Sequence, residues 1–372
     1  MINVALVRGK YLNNFELQNY NIHEKDIAIT AISSQHPIDV SITLPLIKLQ
    51  SIADYSNRFT ERLIKIISNR TIGDSQILFG LENYANKFDI FHTADPHYYY
   101  SYQLARLRQQ NKFNKLICTS WETIPFNNES LAKKKFIKNF TKEYTDYFVC
   151  YTQKASETLK AEGVRAEKIR RIHLGVDLNR FKPSENKNKD FTILFVGRLV
   201  LEKGILDVYE AFKTIKNKKV KNKKIVLQII GKGPLKSYLQ RVVKKDHLTD
   251  HISFETRDYE DMSKLYQNAD IFIAPSKRTA TWEEQLGMVF MEAMACGLPI
   301  ITYDTGAITE VVGDAGLVLK ENDILGLGKT LDSLIHDEFK RQLYAMKARK
   351  RAEKNFDSKK TAKELDQLYR NM

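Results

Sequence analysis

Residues 281–301, TWEEQLGMVFMEAMACGLPII, set a loop, a helix and a strand within one short span. Gly287 opens an apolar helical run through Val289, Phe290, Ala293 and Met294, and Gly297 with Pro299 stops it before the β-branched residues 300–302. Two acids stand in this span, Glu284 and Glu292, in the spacing E-x7-E with the glycine between them. A helix starting near Gly287 leaves Glu284 on the preceding loop and carries Glu292 one to two turns in. The acids then bracket a helix N-terminus, whose free N–H groups and positive dipole end suit a phosphate. Acids near a helix start are also favoured by the dipole alone, so the spacing by itself leaves that second explanation open.

The neighbouring residues add a resemblance. The segment EQLGMVFMEAMACGLPII closely resembles the nucleotide-binding segment of the GT-B glycosyltransferases of the large retaining family usually called family 4. The family pattern is E-[small]-[aromatic]-G-x-x-x-x-E-A-M-A-x-G-x-P-[VI], and this chain departs from it at Gln285 and Leu286, beside the sugar-facing acid. FVGRLVLEKG resembles the family's strand-G-R-x-x-x-x-K-G, and Gly231-Lys232-Gly233-Pro234 resembles its G-x-G-P turn. A further match, DYFVCYTQKASETLKAEGV with KIRRIHLGVDLNRFKP, resembles the end of the family's first domain.

The resemblance implies an α/β, GT-B fold, with two Rossmann-like domains facing each other across a cleft and a C-terminal helix crossing back to the first domain. The expected division is 1–182 for the acceptor-binding domain, 183–190 for a linker (KPSENKNKD is polar, with a proline), 191–352 for the nucleotide-sugar-binding domain and 353–372 for the returning helix. By the same resemblance Glu292 binds the ribose hydroxyls and Glu284 a hydroxyl of the transferred sugar. Arg198, Lys203 and the helix start at Gly287, Met288 and Val289 take the diphosphate, and the turns at Gly197, Gly231 and Gly233 lie beside the donor. A leaving diphosphate gains charge as the glycosidic bond breaks, and two fixed cations stabilise that charge. No Asp-x-Asp motif stands in the chain, so catalysis without a divalent metal or other cofactor is expected.

Length and composition agree with this class. The 372 residues allow two domains, and 43% hydrophobic with 28% charged residues describes a soluble globular chain. No apolar run approaches the roughly 18 residues that cross a bilayer, and the N-terminus reads as a first strand, not a signal peptide. Cys118, Cys150 and Cys296 lie apart in apolar surroundings, forming neither a disulfide framework nor a metal pattern, which fits a cytoplasmic protein. A net charge of +14 and a pI of about 9.4 favour phosphate-rich partners.

Along the first half, strands are predicted over 3–7 (NVALV), 27–34, 88–93, 115–119, 146–152 and 169–174. Gly9 stands alone where the family's glycine-rich turn touches donor diphosphate. Asp95 and His97 follow the strand FDIFHT, and Glu122 follows KLICT; ligands of open α/β sheets bind at such carboxyl ends. Glu122 falls about where the family carries a histidine that contacts the transferred sugar. It is open to three readings: holding a sugar hydroxyl, taking the acceptor proton, or a structural acid. His92, inside a strand pattern, reads as a core residue.

Two basic segments stand out. In 56–70 Phe59, Leu63, Ile66 and Ile67 recur at helical spacing among Arg58, Arg62, Lys65 and Arg70, and in 131–142 Phe136, Ile137 and Phe140 lie among lysines. Each is open to two readings, an ordinary helix packed on a sheet or an interfacial surface for anionic lipid. The second reading places the enzyme as a peripheral protein on the inner membrane face. The lysine-rich stretch 213–224 reads as a solvated loop.

The leading expectation is therefore a retaining glycosyltransferase using a UDP- or GDP-type sugar donor and an acceptor glycan or lipid-linked acceptor. A sugar-nucleotide epimerase or phosphorylase on the same fold is the alternative. A basic nucleic-acid-binding protein is disfavoured, because no helix-turn-helix, RNP or zinc pattern occurs.

Overall fold

The computed structural model of the protein describes residues 1–22, 26–39, 41–55, 60–184, 188–216 and 218–372. The chain folds as two compact units, residues 1–174 with 359–372, and residues 175–358. The first unit therefore ends eight residues before the expected boundary at 182. The segment from Gly175 onward goes with the second unit, because Val176 forms a bridge to Asp357 and its N–H donates to the Phe356 carbonyl (2.8 Å). Residues 185–187 of the expected linker lie outside the described residues.

The first unit is built on a seven-stranded parallel sheet. Its strands are β1 (Ile2–Gly9), β2 (Ile27–Ser34), β3 (Leu46–Leu49), β4 (Ile90–Ala94), β5 (Lys115–Ser120), β6 (Tyr147–Cys150) and β7 (Ile169–Arg171), in the order β3-β2-β1-β4-β5-β6-β7. Its helices include α1 (Asn14–Leu17), α2 (Glu61–Thr71), α3 (Tyr99–Gln109), α4 (Ala132–Tyr144) and α5 (Gln153–Ala161). Central strands covered on both faces become continuous apolar runs, and 4–7 of β1 and 116–118 of β5 are fully buried. Helices cover the same core from outside: Tyr100, Leu104 and Ala105 of α3 join Ala5, Phe91 and Leu116 in one cluster.

In the second unit β8 (Phe191–Val196), β10 (Lys223–Ile230), β11 (Ile252–Glu255), β12 (Ile271–Ile273), β13 (Ile300–Tyr303) and β14 (Gly316–Leu319) run parallel in the order β11-β10-β8-β12-β13-β14. The short β9 (Lys219–Val220) pairs antiparallel with the start of β10. The predicted lysine-rich loop thus contains a hairpin, because Lys221 and Asn222 both take the left-handed conformation a tight turn needs. The helices are α6 (Ile205–Lys213), α7 (Lys236–Lys245), α8 (Met262–Asn268), α9 (Met288–Ala295), α10 (Ile308–Val312), α11 (Ile324–His336) and α12 (Glu338–Asn355). Ile193, Phe195, Val208, Phe212, Leu227, Ile271, Leu331 and Leu334 belong to one buried core.

A last helix, α13 (Ser358–Arg370), packs within the first unit. Tyr369 sets its hydroxyl 2.7 Å from His92 Nδ1 in the middle of β4, and Thr361 Oγ1 donates to the His173 carbonyl (2.7 Å). The returning segment begins at Lys359 rather than 353, since α12 runs on to Asn355 in the second unit. His92 is a core residue, bonded on its other nitrogen to Thr119 Oγ1 (2.7 Å), and burial holds its pKa well below the usual value.

Candidate active site

In the second unit the site is built at the carboxyl ends of β8, β10 and β12. The turns after β8 and β10 are tied together: Gly197 N–H donates to the Ile230 carbonyl (3.0 Å) and Leu199 N–H to that of Lys232 (2.8 Å). A side chain at Gly231 would overlap the Gly197 carbonyl, and one at Gly233 would press on Leu199, so this contact needs glycine. The turn after β8 then delivers Lys203, which is followed by Gly204 and α6.

Lys203 Nζ reaches Glu284 Oε2 at 2.5 Å, and Ser276 Oγ donates to the same oxygen at 2.9 Å. The Trp282 ring covers the ammonium, with Nζ 4.9 Å from its centroid. Glu284 is 8% exposed, so its charge is largely removed from water and must be paired. Its backbone is pinned as well: Ala307 N–H donates to the Glu284 carbonyl (2.8 Å), and a side chain at Gly306 would strike that carbonyl. The structure thus joins two residues that stand 81 positions apart, the lysine expected to face the diphosphate and the acid expected to face the sugar. Arg198 is not part of this pair. Its guanidinium is largely exposed and meets Glu202, four residues on, at 3.4 Å.

Gly287 takes the left-handed conformation (φ 72°) at the cap of α9, with Met288 and Val289 as the first helical residues. Glu292, in the second turn, is 3% exposed and accepts a hydrogen bond from the Tyr266 hydroxyl (2.8 Å). Burial pushes its pKa up from 4.5 to about 7, against the pull of the Tyr266 and Tyr259 hydroxyls and the positive charge of Arg180. The Arg180 guanidinium lies over the Tyr259 ring, 4.5 Å from its centroid. Glu284 and Glu292 therefore do flank the helix start, one before it and one inside it.

In the first unit Gly9 closes β1 with φ 53°, and Gln76 and Tyr100 press on the position a side chain would occupy. Asp95, just after β4, also has positive φ (47°) and accepts the Trp121 N–H (3.0 Å). Burial raises its pKa to about 7, with the nearby Glu122 charge pushing the same way. His97 lines a cavity at this end of the sheet, its ring 4.3 Å from that of Tyr98. Glu122 is turned into its own loop. Oε1 accepts the N–H groups of Thr123 and Ile124 (3.0 Å each), and Oε2 accepts from Asn127 (2.8 Å) and Asn128 (3.3 Å). Of the readings for Glu122, this geometry is that of the structural acid; both carboxylate oxygens are engaged in shaping the loop.

Several site residues escape sequence reasoning. Ser276, Trp282, Tyr266 and Arg180 carry no spacing signal; each is brought in by the fold. Lys277 donates to the buried Asp207 of α6 (2.7 Å), which also accepts from Tyr303 (2.9 Å), and so anchors the loop that carries Trp282 and Glu284. Among the described residues no group of three or more His, Cys, Asp or Glu side chains could hold a metal ion.

Two parallel α/β units with glycine turns and a helix start at strand ends define the GT-B class. Solved structures share this fold over the whole chain. The Anabaena Alr3699/HepE protein in complex with UDP superposes with a TM-score of 0.78 at 15% identity, covering 100% of both chains. A sucrose-phosphate synthase from Thermosynechococcus elongatus gives 0.74 at 18%, covering 100% of this chain and 99% of that one. Residues 177–355 match the family described as "Glycosyl transferases group 1" and residues 55–180 the one described as "Glycosyltransferase Family 4". The chain belongs to this glycosyltransferase family.

Among curated relatives, the capsular polysaccharide biosynthesis glycosyltransferase CapM of Staphylococcus aureus is 30% identical over 254 residues, 65% of this chain and 60% of that protein. The putative colanic acid biosynthesis glycosyltransferase WcaL of Escherichia coli (strain K12) is 25% identical over 256 residues, 65% and 62% of the two chains. The chain thus spans about three fifths of the length of these relatives.

Proposed function

We propose that the protein is a retaining glycosyltransferase that moves a sugar from a nucleoside diphosphate to an acceptor glycan or lipid-linked acceptor. The observation that carries this reading is the Lys203–Glu284 pair behind the start of α9. In the proposed reaction the acceptor hydroxyl oxygen attacks the anomeric carbon from the face the diphosphate leaves. The C–O bond to phosphate breaks, its electron pair goes to the β-phosphate oxygen, and the acceptor proton passes to that leaving oxygen. Lys203 and the first N–H groups of α9 meet the charge that develops, while Glu284 holds a hydroxyl of the migrating sugar. Glu292 takes the ribose hydroxyls. Arg198, exposed in the free protein, would fold onto the diphosphate when donor binds.

The HepE protein binds UDP, which makes UDP the first nucleotide to try. The names of CapM and WcaL favour a glycan acceptor of the cell envelope. A thermal-shift screen of UDP, GDP and ADP with their sugar conjugates tests the reading. One nucleotide should stabilise the protein, and silence from all three would reject a nucleotide-sugar site. We further propose that no divalent metal is needed, since Lys203, Arg198 and the helix start supply the positive charge. Turnover should persist in EDTA; complete loss, reversed by manganese, would reverse this proposal.

A peripheral position on an anionic membrane surface is the finer proposal. Arg58 and Phe59, and the side chains of Arg62 and Lys65, lie outside the described residues. Leu63, Ile66 and Ile67 of α2 are 59%, 42% and 51% exposed, and Phe136 of α4 is 57% exposed. The helices adjoin, because Lys133 of α4 donates to the Thr71 carbonyl at the end of α2. No helix among the described residues is long and apolar enough to cross a membrane. A basic helix with exposed apolar residues is the pattern of interfacial binding. The protein should cosediment with vesicles containing anionic phospholipid at low salt, and the Leu63→Ser/Ile67→Ser variant should not; equal retention of wild type and variant would contradict this.

A further inference from the structure

Trp282 is a large aromatic residue at a place where packing does not call for one. Residues 278–281 before it are exposed, and the Thr279 N–H donates to the Trp282 carbonyl (2.7 Å), closing this tip as a tight turn. The indole is half-buried, yet it joins neither the hydrophobic core of the second unit nor any ring–ring contact among the described residues. What it meets is a charge, the Lys203 ammonium, with Nζ 4.9 Å from the ring centroid.

Two segments distant in sequence are fastened together to bring this about. A side chain at Gly204 would overlap the Pro275 carbonyl, and the Lys277 N–H donates to the Glu202 carbonyl (2.8 Å), so the Lys203 turn lies directly against the start of the Trp282 loop. The Lys277 ammonium is bound to Asp207 (2.7 Å), and Arg278 holds Glu321 through its backbone N–H (3.0 Å) and its Nε (3.2 Å). The loop is thus anchored by groups other than the indole.

An ammonium has three N–H donors. One reaches Glu284 Oε2 at 2.5 Å, and no other hydrogen-bond partner of Lys203 stands among the described residues. The lysine stem passes the glycine turn after β8, its Cδ 4.0 Å from where a Cβ would stand on Gly197. An indole face over the head attracts the positive charge and keeps water from that side. In the drier surroundings the remaining donors act on a bound anion with less screening. The gain falls on the phosphate that lies at the lysine, which in the proposed reaction is the β-phosphate of the donor. A nucleoside monophosphate, which lacks that group, gains nothing.

We propose that Trp282 is a positioning residue for the leaving group: its indole fixes and dehydrates the Lys203 ammonium, and thereby strengthens the preference of the site for a nucleoside diphosphate over the monophosphate. The inference rests on the glycosyltransferase reading and adds to it the group that prepares Lys203.

Two measurements on the full chain test this. The first uses no nucleotide: the lysines are acetylated with acetic anhydride and the rates read by mass spectrometry. Lys203 should react several-fold faster in Trp282→Ala than in wild type and near the wild-type rate in Trp282→Phe. Lys277, on the same loop with its side chain 24% exposed, is the internal control and should not change. A rise at both lysines would mean that the ring merely packs the loop, and no rise at Lys203 would mean that it shields nothing; either overturns the proposal. The second is calorimetric titration with UDP and UMP and, should UDP not bind, with GDP and GMP or ADP and AMP. The ratio of diphosphate to monophosphate affinity should fall about tenfold in Trp282→Ala. Trp282→Phe should retain most of the ratio, and monophosphate affinity should be the same in all three proteins. Should Trp282→Ala not fold, Trp282→Leu, which keeps apolar bulk without an aromatic face, takes its place with the same expected fall. An unchanged ratio overturns the role of Trp282 and leaves the transferase reading standing, whereas silence of the wild type towards every nucleotide removes the transferase reading itself.

Discussion

Lys203→Ala is expected to lower kcat by roughly 100- to 1,000-fold, the loss typical of removing one fixed group that meets developing charge. The reason is the position of the ammonium. It is held at 2.5 Å from Glu284 and beneath Trp282, so it is in place before any substrate arrives and need not reorganise during the reaction. Removing it also leaves Glu284 with Ser276 as its remaining side-chain donor in a largely buried position. Unpaired buried charges cost about 3–5 kcal/mol in fully buried pairs. Here the lysine side chain is 17% exposed and the acid 10%, so solvent screening reduces the cost below that range. Lys203→Arg should restore the pairing and stability but only part of kcat, because a planar fork does not replace a compact ammonium under an indole ring. Steady-state kinetics beside thermal melts check this. A kcat within a few-fold of wild type in the Ala variant would remove Lys203 from the chemistry.

Nucleotide affinity should rise as pH increases from 6 to 8, and Glu292→Gln should flatten that dependence. Glu292 has a pKa of about 7 in the folded protein, raised from 4.5 by burial. Ribose hydroxyls donate to an ionised carboxylate, so the protonated form present at low pH is the weaker binder. A neutral glutamine should bind weakly at every pH, and Glu292→Ala should abolish the thermal shift.

The same group affects stability with a definite sign. Its folded pKa lies above the unfolded value, so the folded state binds more protons between about pH 4.5 and 7. The contribution is fully present below pH 4.5 and is lost as pH rises through 7, amounting to a few kcal/mol at most. Glu292→Gln should therefore gain most over wild type at alkaline pH. Calorimetry of both proteins with and without nucleotide measures the two effects together. An affinity independent of pH in wild type would mean that Glu292 does not face the ribose.

Much of the architecture is legible in the amino-acid order because it is local. Apolar runs such as FTILFV and KKIVLQII declare buried parallel strands, and Gly287 and Gly297 bound α9 through their own backbone conformations. The strands β3 and β14 are harder to see. The first is short and only partly buried and the second is intermediate throughout, so neither shows a strong apolar run. The division of the chain at Leu174 instead of residue 182 is not legible either, because it depends on the pairing of Val176 with Asp357, far along the chain.

The site divides along the same line. The order of residues specifies the strand–turn–helix segments and the types of side chain they present: Lys203 after a glycine turn, and Glu284 and Glu292 on either side of a helix start. Local spacing can specify those because turns and helix caps are set by neighbours in the chain. Which of these groups meet is settled by tertiary contacts alone. They pair Lys203 with Glu284 while leaving Arg198 at the surface, fold Glu122 into its own loop, and raise the pKa of Glu292 by burying it. Pairing, burial and desolvation arise between distant segments, and no local pattern encodes them.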